Sequence, residues 1–145
     1  MTEFVLRRGD IAIATLRKPE VLDDLKAQYA ADKLLTLKLD VTNLDEIAAA
    51  FTKAKEVFGR VDVVFNNAGY GMMAEVEGAP EDKARGMFDA NFWGATNVSR
   101  EAVKFFREVN SPAGGRLIVT SSLTACRTMP LMGYYSASKI GTAIF

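Results

Sequence analysis

The chain has 145 residues, enough for one domain with a real core and too few for two. Lys plus Arg and Asp plus Glu number 18 each and are scattered, so no net field favours nucleic acid or an anionic membrane, and no apolar run approaches the length of a membrane span. A single cysteine, Cys126, and no histidine exclude intramolecular disulfides, zinc clusters and His-based triads, leaving Tyr, Lys and carboxylates for any acid/base chemistry.

Residues 2–8, TEFVLRR, predict the end of a helix closed by Gly9. With Glu3, Arg7 and Arg8 so early, the start lacks the apolar core of a signal peptide, and the cytoplasm is the default location. Residues 11–16 form a short apolar run suited to a buried parallel strand, and Pro19 opens a helix whose Val21, Leu22, Leu25 and Tyr29 fall at helical spacing. Residues 34–39 read as the next strand. Asn43 with Glu46 three later has a capping-box layout before Leu44, Ile47, Phe51 and Phe58, and Gly59 ends that helix. Residues 61–65 are the third strand, followed by a loop through Asn66-Asn67-Ala68-Gly69; Pro80 then opens a long helix to about Glu108, and residues 117–120 are the fourth strand. Strands alternating with helices of this length predict one α/β domain over residues 1–145, with a parallel sheet and helices on both faces.

The chemistry concentrates between Ser122 and Lys139. Tyr135 and Lys139 lie four apart in YYSASK, a spacing that puts both on one helix face, with the ammonium near the phenol oxygen. A phenol is a sluggish acid/base at neutral pH, but an adjacent positive charge favours the phenolate, so the pair makes a usable general acid/base. Ser122 stands thirteen residues before Tyr135, at the end of the fourth strand, where its hydroxyl would meet the sheet's carboxyl edge and hold a substrate oxygen. Ser121 is its nearest rival. Tyr and Lys at this spacing also occur by chance on surface helices; the Asn66-Asn67-Ala68-Gly69 segment after a strand makes the combination specific.

With a strand ending in NNAG, an asparagine in the next long helix, a serine and YxxxK, all in order, the sequence resembles the short-chain dehydrogenase/reductase family over nearly its whole length. The resemblance implies a Rossmann-like doubly wound parallel sheet that binds a nicotinamide dinucleotide and moves hydride between it and a small-molecule carbonyl or alcohol, as an enzyme of the EC 1.1.1 type. It implies that Tyr135 exchanges the proton, Lys139 favours the phenolate and holds the nicotinamide ribose, Ser122 bonds the reacting oxygen, and Asn91 helps hold a water beside the lysine. Asp40 matches the acidic residue near the adenine, and Asn67, Ala68 and Gly69 match the segment whose backbone lies against the cofactor. A carboxylate at the end of the first strand would bond the ribose hydroxyl of NAD; Arg17 and Lys18 stand there instead and predict NADP. Homo-oligomers joined through the helix from Pro80 and the one carrying Tyr135 are the family's habit. A nucleotide-sugar epimerase shares YxxxK, but NNAG and the short serine-to-tyrosine spacing argue against it.

The sequence also departs from the family. The glycine-rich phosphate loop and the first strand are missing, as are the later strands beyond Phe145, so the sheet is expected to be incomplete. Gly69-Tyr70-Gly71-Met72-Met73-Ala74 imitates a phosphate loop, but no helical periodicity begins there. In the order 3-2-1-4-5-6 the absent strand is central, which leaves two strand pairs about 9.6 Å apart at a strand spacing of about 4.8 Å, unless they close on each other or another segment fills the space. The competing reading is therefore a truncated, inactive fragment that acts, if at all, by associating with another subunit.

Overall fold

The computed structural model describes residues 1–127 and 129–142. Helix α1 (Thr2–Arg7) ends as expected at Gly9, whose φ of +85° favours a residue without a Cβ. Its buried Leu6 packs with Ala12, Ala14 and Leu34 to form a first core cluster. Those residues belong to strand β1 (Ala12–Leu16) and strand β2 (Leu34–Lys38), which run parallel with Ala12 opposite Leu34 and Leu16 opposite Lys38. The helix expected from Pro19 shrinks to a 3-10 turn (Pro19–Leu22) and a single α turn, α2 (Asp23–Lys26). Neither piece buries a residue fully; Leu22, Leu25 and Tyr29 only lean on the first cluster, and a helix without a buried face lacks the packing that stabilises short helices.

Helix α3 (Leu44–Phe58) begins where the sequence predicts. The Asn43 side chain accepts from the amides of Asp45 and Glu46 at 3.0 and 3.2 Å, and Gly59 closes the helix with φ +74°. The capping box itself does not form. Glu46 turns away from Asn43 and accepts instead from the Asp40 amide at 2.7 Å and from Lys38 Nζ at 2.8 Å, which ties the helix start to the end of β2. Replacing Asn43 by Ala is expected to cost about 1 kcal/mol in urea unfolding, because two amides of the first turn lose their acceptor. An unchanged midpoint would show that water replaces the cap.

Strand β3 (Val63–Asn66) pairs in parallel with strand β4 (Arg116–Val119), Val63 opposite Arg116 and Asn66 opposite Val119. Between them the long helix is continuous but not uniform: α4 (Glu81–Phe88) passes through a π-helical stretch (Asp89–Gly94) into α5 (Ala95–Glu108). Helix α6 (Gly133–Thr142) carries Tyr135 and Lys139. The strands form two separate two-stranded sheets, β1 with β2 and β3 with β4, with no ladder between them among the described residues. This is the pairing expected for an incomplete doubly wound sheet. The halves are held together by helix packing: Val98 of α5 joins Leu39, Ile47 and Ala50 in a second core cluster, and the rings of Phe51 and Phe105 lie 5.7 Å apart. Val63, Phe65 and Ile118 of the second pair stay exposed.

Candidate active site

Asn66 ends β3 with its side chain buried, donating to the Ala95 carbonyl at 2.8 Å and to Ser99 Oγ at 3.1 Å. This anchors the strand end to α5 and delivers the next three residues, Asn67, Ala68 and Gly69, to the surface. Asn67 accepts from Thr120 Oγ1 at 2.9 Å across the strand pair. The backbone groups of 67–69 have no hydrogen-bond partner among the described residues.

Gly69 lies against the residues expected to do the chemistry. A Cβ on it would sit 2.6 Å from Asn91 Oδ1 and 3.2 Å from Lys139 Nζ, so only glycine permits this approach. Asn91 is fully buried on the π-helical stretch. Its Oδ1 accepts from the Tyr70 amide at 2.9 Å, and its Nδ2 donates to the Tyr70 carbonyl at 2.8 Å and to Ser138 Oγ at 3.0 Å. The side chain thus acts as a clasp between the loop and α6, and its hydrogens are already spent.

Lys139 is 5% exposed and donates from Nζ to the Thr120 carbonyl at 3.1 Å, which fixes its ammonium at the end of β4. Tyr135 sits one turn earlier on α6, half-buried, with Gly71 against its ring; a Cβ at Gly71 would lie 3.5 Å from the ring carbons. Its hydroxyl has no hydrogen-bond partner among the described residues. Ser122 caps a 3-10 turn (Leu123–Ala125), accepting from the Thr124 amide at 3.2 Å and from Thr124 Oγ1 at 3.0 Å. Both lone-pair directions are used, leaving its O–H as a donor for another group. Ser121, the rival, spends its hydroxyl on the Lys139 carbonyl at 3.3 Å. The fold therefore brings Gly69, Asn91 and Lys139 into contact, with Tyr135 on the neighbouring turn. Ser138 and Thr120 carry no signal in sequence beyond proximity to the motif, yet they join these parts.

Arg17 and Asp40 lie apart from that cluster, at the carboxyl ends of the first strand pair. Arg17 and Lys18 line an open recess of about 480 Å³ with Leu16 and Val21. Asp40 accepts from the Thr42 amide at 3.0 Å and from Thr42 Oγ1 at 2.8 Å; these bonds, with a smaller contribution from the Arg17 charge, hold its carboxyl below the ordinary value of 3.8. A carboxyl lowered in the folded state stabilises the fold above its unfolded value and loses that contribution as pH falls through the folded one. Asp40→Asn is accordingly expected to flatten the loss of stability below pH 3.8, read as the midpoint of urea unfolding against pH. A variant with the same acid limb would show that Asp40 does not contribute to it.

The residues present fit a nicotinamide dinucleotide in two respects: the exposed 67–69 backbone has amides and carbonyls without a partner among the described residues, beside a close-approach glycine, and the Arg17–Lys18 recess offers cations to an anionic group. The Gly69–Ala74 imitation of a phosphate loop starts no helix. No helix among the described residues is long and apolar enough to cross a membrane.

The described residues thus form a parallel α/β fold in which the helix carrying Tyr135 and Lys139 lies beside the Asn66–Gly69 loop. Residues 2–145 match the short chain dehydrogenase family, and the chain belongs to it. An uncharacterized oxidoreductase of Schizosaccharomyces pombe is 39% identical over 134 residues, covering 92% of this chain and 44% of that protein. Oxidoreductase BOA17 of Botryotinia fuckeliana is 34% identical, over 96% of this chain and 50% of its own. A short-chain dehydrogenase from Streptomyces avermitilis superposes with a TM-score of 0.87 at 30% identity, over 97% of this chain and 51% of that one. The chain thus spans about half the length of the relatives it matches.

Proposed function

We propose that this chain carries the acid/base and cofactor-facing part of an NADP-dependent oxidoreductase acting on a carbonyl or alcohol substrate. The observation that supports it most is the disposition of α6: a buried lysine ammonium fixed to the Thr120 carbonyl, and one turn away a tyrosine hydroxyl with no hydrogen-bond partner among the described residues. A bound nicotinamide would supply or accept the hydride. Tyr135 would protonate the carbonyl oxygen in reduction and take the hydroxyl proton in oxidation. Ser122 would donate its free O–H to the same oxygen, and Lys139 would hold the nicotinamide ribose. Asn91 would serve the proton path from its clasped position beside the lysine. Arg17, with Lys18, would receive the 2′-phosphate of the cofactor, Asp40 would lie near the adenine, and Asn67, Ala68 and Gly69 would offer their backbone to it.

The test is a thermal melt of the chain with millimolar NADPH or NADH. A dose-dependent rise with NADPH alone, reduced in Arg17→Ala, is the expected result, since a ligand that binds only the folded state stabilises it by mass action. No shift with either cofactor would overturn the reading and leave the truncated, inactive alternative. Homo-oligomerisation belongs to the same reading: exposed Trp93 shares an open cleft of about 700 Å³ with Phe88, Asp89 and Tyr134, on the helices expected to pair. A monodisperse monomer in light scattering would contradict it.

A further inference from the structure

The geometry points to Ser138 as a positioning residue for the acid/base pair, an inference that rests on the reading of Tyr135 given above. Ser138 is fully buried on α6, three residues after Tyr135 and directly before Lys139. Its Oγ accepts from Asn91 Nδ2 at 3.0 Å and donates to the Tyr135 carbonyl at 2.8 Å, so one hydroxyl both receives and passes on a hydrogen bond. Through Asn91 the connection continues to both backbone groups of Tyr70, which stands between Gly69 and Gly71, the glycine that lies against the Tyr135 ring. The path closes on itself: α6 to Ser138, to Asn91 on the π-helical stretch, to the 69–71 loop, and back to the Tyr135 ring.

Ser138 thus gives α6 its side-chain hydrogen bond to the π-helical stretch and, through Asn91, to the loop, beside the Lys139–Thr120 bond and the packing of Gly141 on the Phe92 ring. Loss of the hydroxyl leaves one Nδ2–H of Asn91 buried without an acceptor, while the other still meets Tyr70. The loop stays attached to the π-helical stretch, and α6 keeps only its packing contacts with both. The consequence falls on where Tyr135 and Lys139 stand relative to the loop, and much less on whether the chain folds. Ser138 touches no reacting atom in this account; it acts through Asn91 and the first turn of α6.

The test compares Ser138→Ala, Ser138→Cys and Ala54→Gly in the 145-residue chain, the last being a buried substitution in α3 that lowers stability away from the site. Three quantities are read: the nuclear Overhauser effect between the Tyr135 ring and the Gly71 α-protons, hydrogen exchange of the Asn91 side-chain amide, and the kcat and KM of NADPH-dependent ketone reduction. Ser138→Ala is expected to weaken the Overhauser effect, speed amide exchange about tenfold and lower kcat about tenfold with KM within about twofold. Ser138→Cys, which keeps a weak donor and acceptor of similar size, is expected to recover part of each, and Ala54→Gly to lower the melting temperature alone. An unchanged Overhauser effect and exchange rate in Ser138→Ala, or the same kcat loss in Ala54→Gly, would overturn the inference. If the unmodified chain shows no turnover, the proposed function fails, and the Overhauser and exchange measurements still decide the role of Ser138.

Discussion

Tyr135→Phe is expected to lower the rate of carbonyl reduction about 10²–10⁴-fold, the range attached to a positioned general acid or base. The substitution removes one oxygen that no other group among the described residues holds, so nothing in the fold depends on it. The ring keeps its contact with Gly71, and α6 keeps its bonds through Ser138 and Lys139. Stability should therefore move by no more than about 0.5 kcal/mol, the usual reach of a change that breaks no packed or bonded group. The separation between a large kinetic effect and a negligible thermal one is the diagnostic. A Phe variant that retains its rate would mean that the proton comes from another group, and the proposed role of Tyr135 would be wrong.

Asn91→Ala should produce the opposite pattern, a large loss of stability. Three hydrogen bonds vanish together, and the Tyr70 backbone and Ser138 Oγ lose their shared partner inside the protein. Each stranded buried group costs about 1–3 kcal/mol, but Tyr70 sits in an exposed loop where water can reach its backbone. The net expectation is about 2–3 kcal/mol, equivalent to about 5–10 °C of melting temperature in a chain of this size. Asn91→Asp is the informative companion. It keeps an acceptor for the Tyr70 amide, loses both donors and brings a charge into a fully buried site, so it should be at least as damaging as Ala. If both variants melt like the parent, the clasp is incidental and the asparagine matters only for chemistry.

The parts legible in sequence were those fixed by local backbone chemistry or by side-chain period. Gly9 and Gly59 close helices with positive φ, Asn43 caps α3, and the four apolar runs become parallel strands with ends displaced by a residue or two. Three features escaped because their cause is tertiary. The helix expected from Pro19 collapsed to two short turns, since its apolar spacing was right but the surface it faced was too small to bury it. Glu46 had the spacing for a capping box, yet Lys38 and the Asp40 amide, brought near by the end of β2, outcompeted the Asn43 amide. The π-helical stretch at 89–94 left the apolar period of the long helix almost undisturbed, so nothing in the pattern marked it. At the site, the motif residues were visible as types at spacings, while the bonds through Ser138 and Thr120 depend on chain segments that meet only in the folded protein.

The pairing of strands also sets an order of events. β1 meets β2 by joining residue 12 to residue 34, whereas β3 meets β4 only when residue 63 finds residue 116, across a loop more than twice as long. Each doubling of a loop adds only about 0.6 kcal/mol of closure entropy, but the second loop must also hold the long helix in place before the pairing is rewarded. The Asn91–Ser138 and Asn67–Thr120 bonds likewise join residues 47 and 53 apart in the chain. The arginine-bearing half of the molecule is thus built from neighbours in the chain and the tyrosine-bearing half from strangers. The residues proposed to act on the substrate therefore rest on the more distant of the two strand pairings.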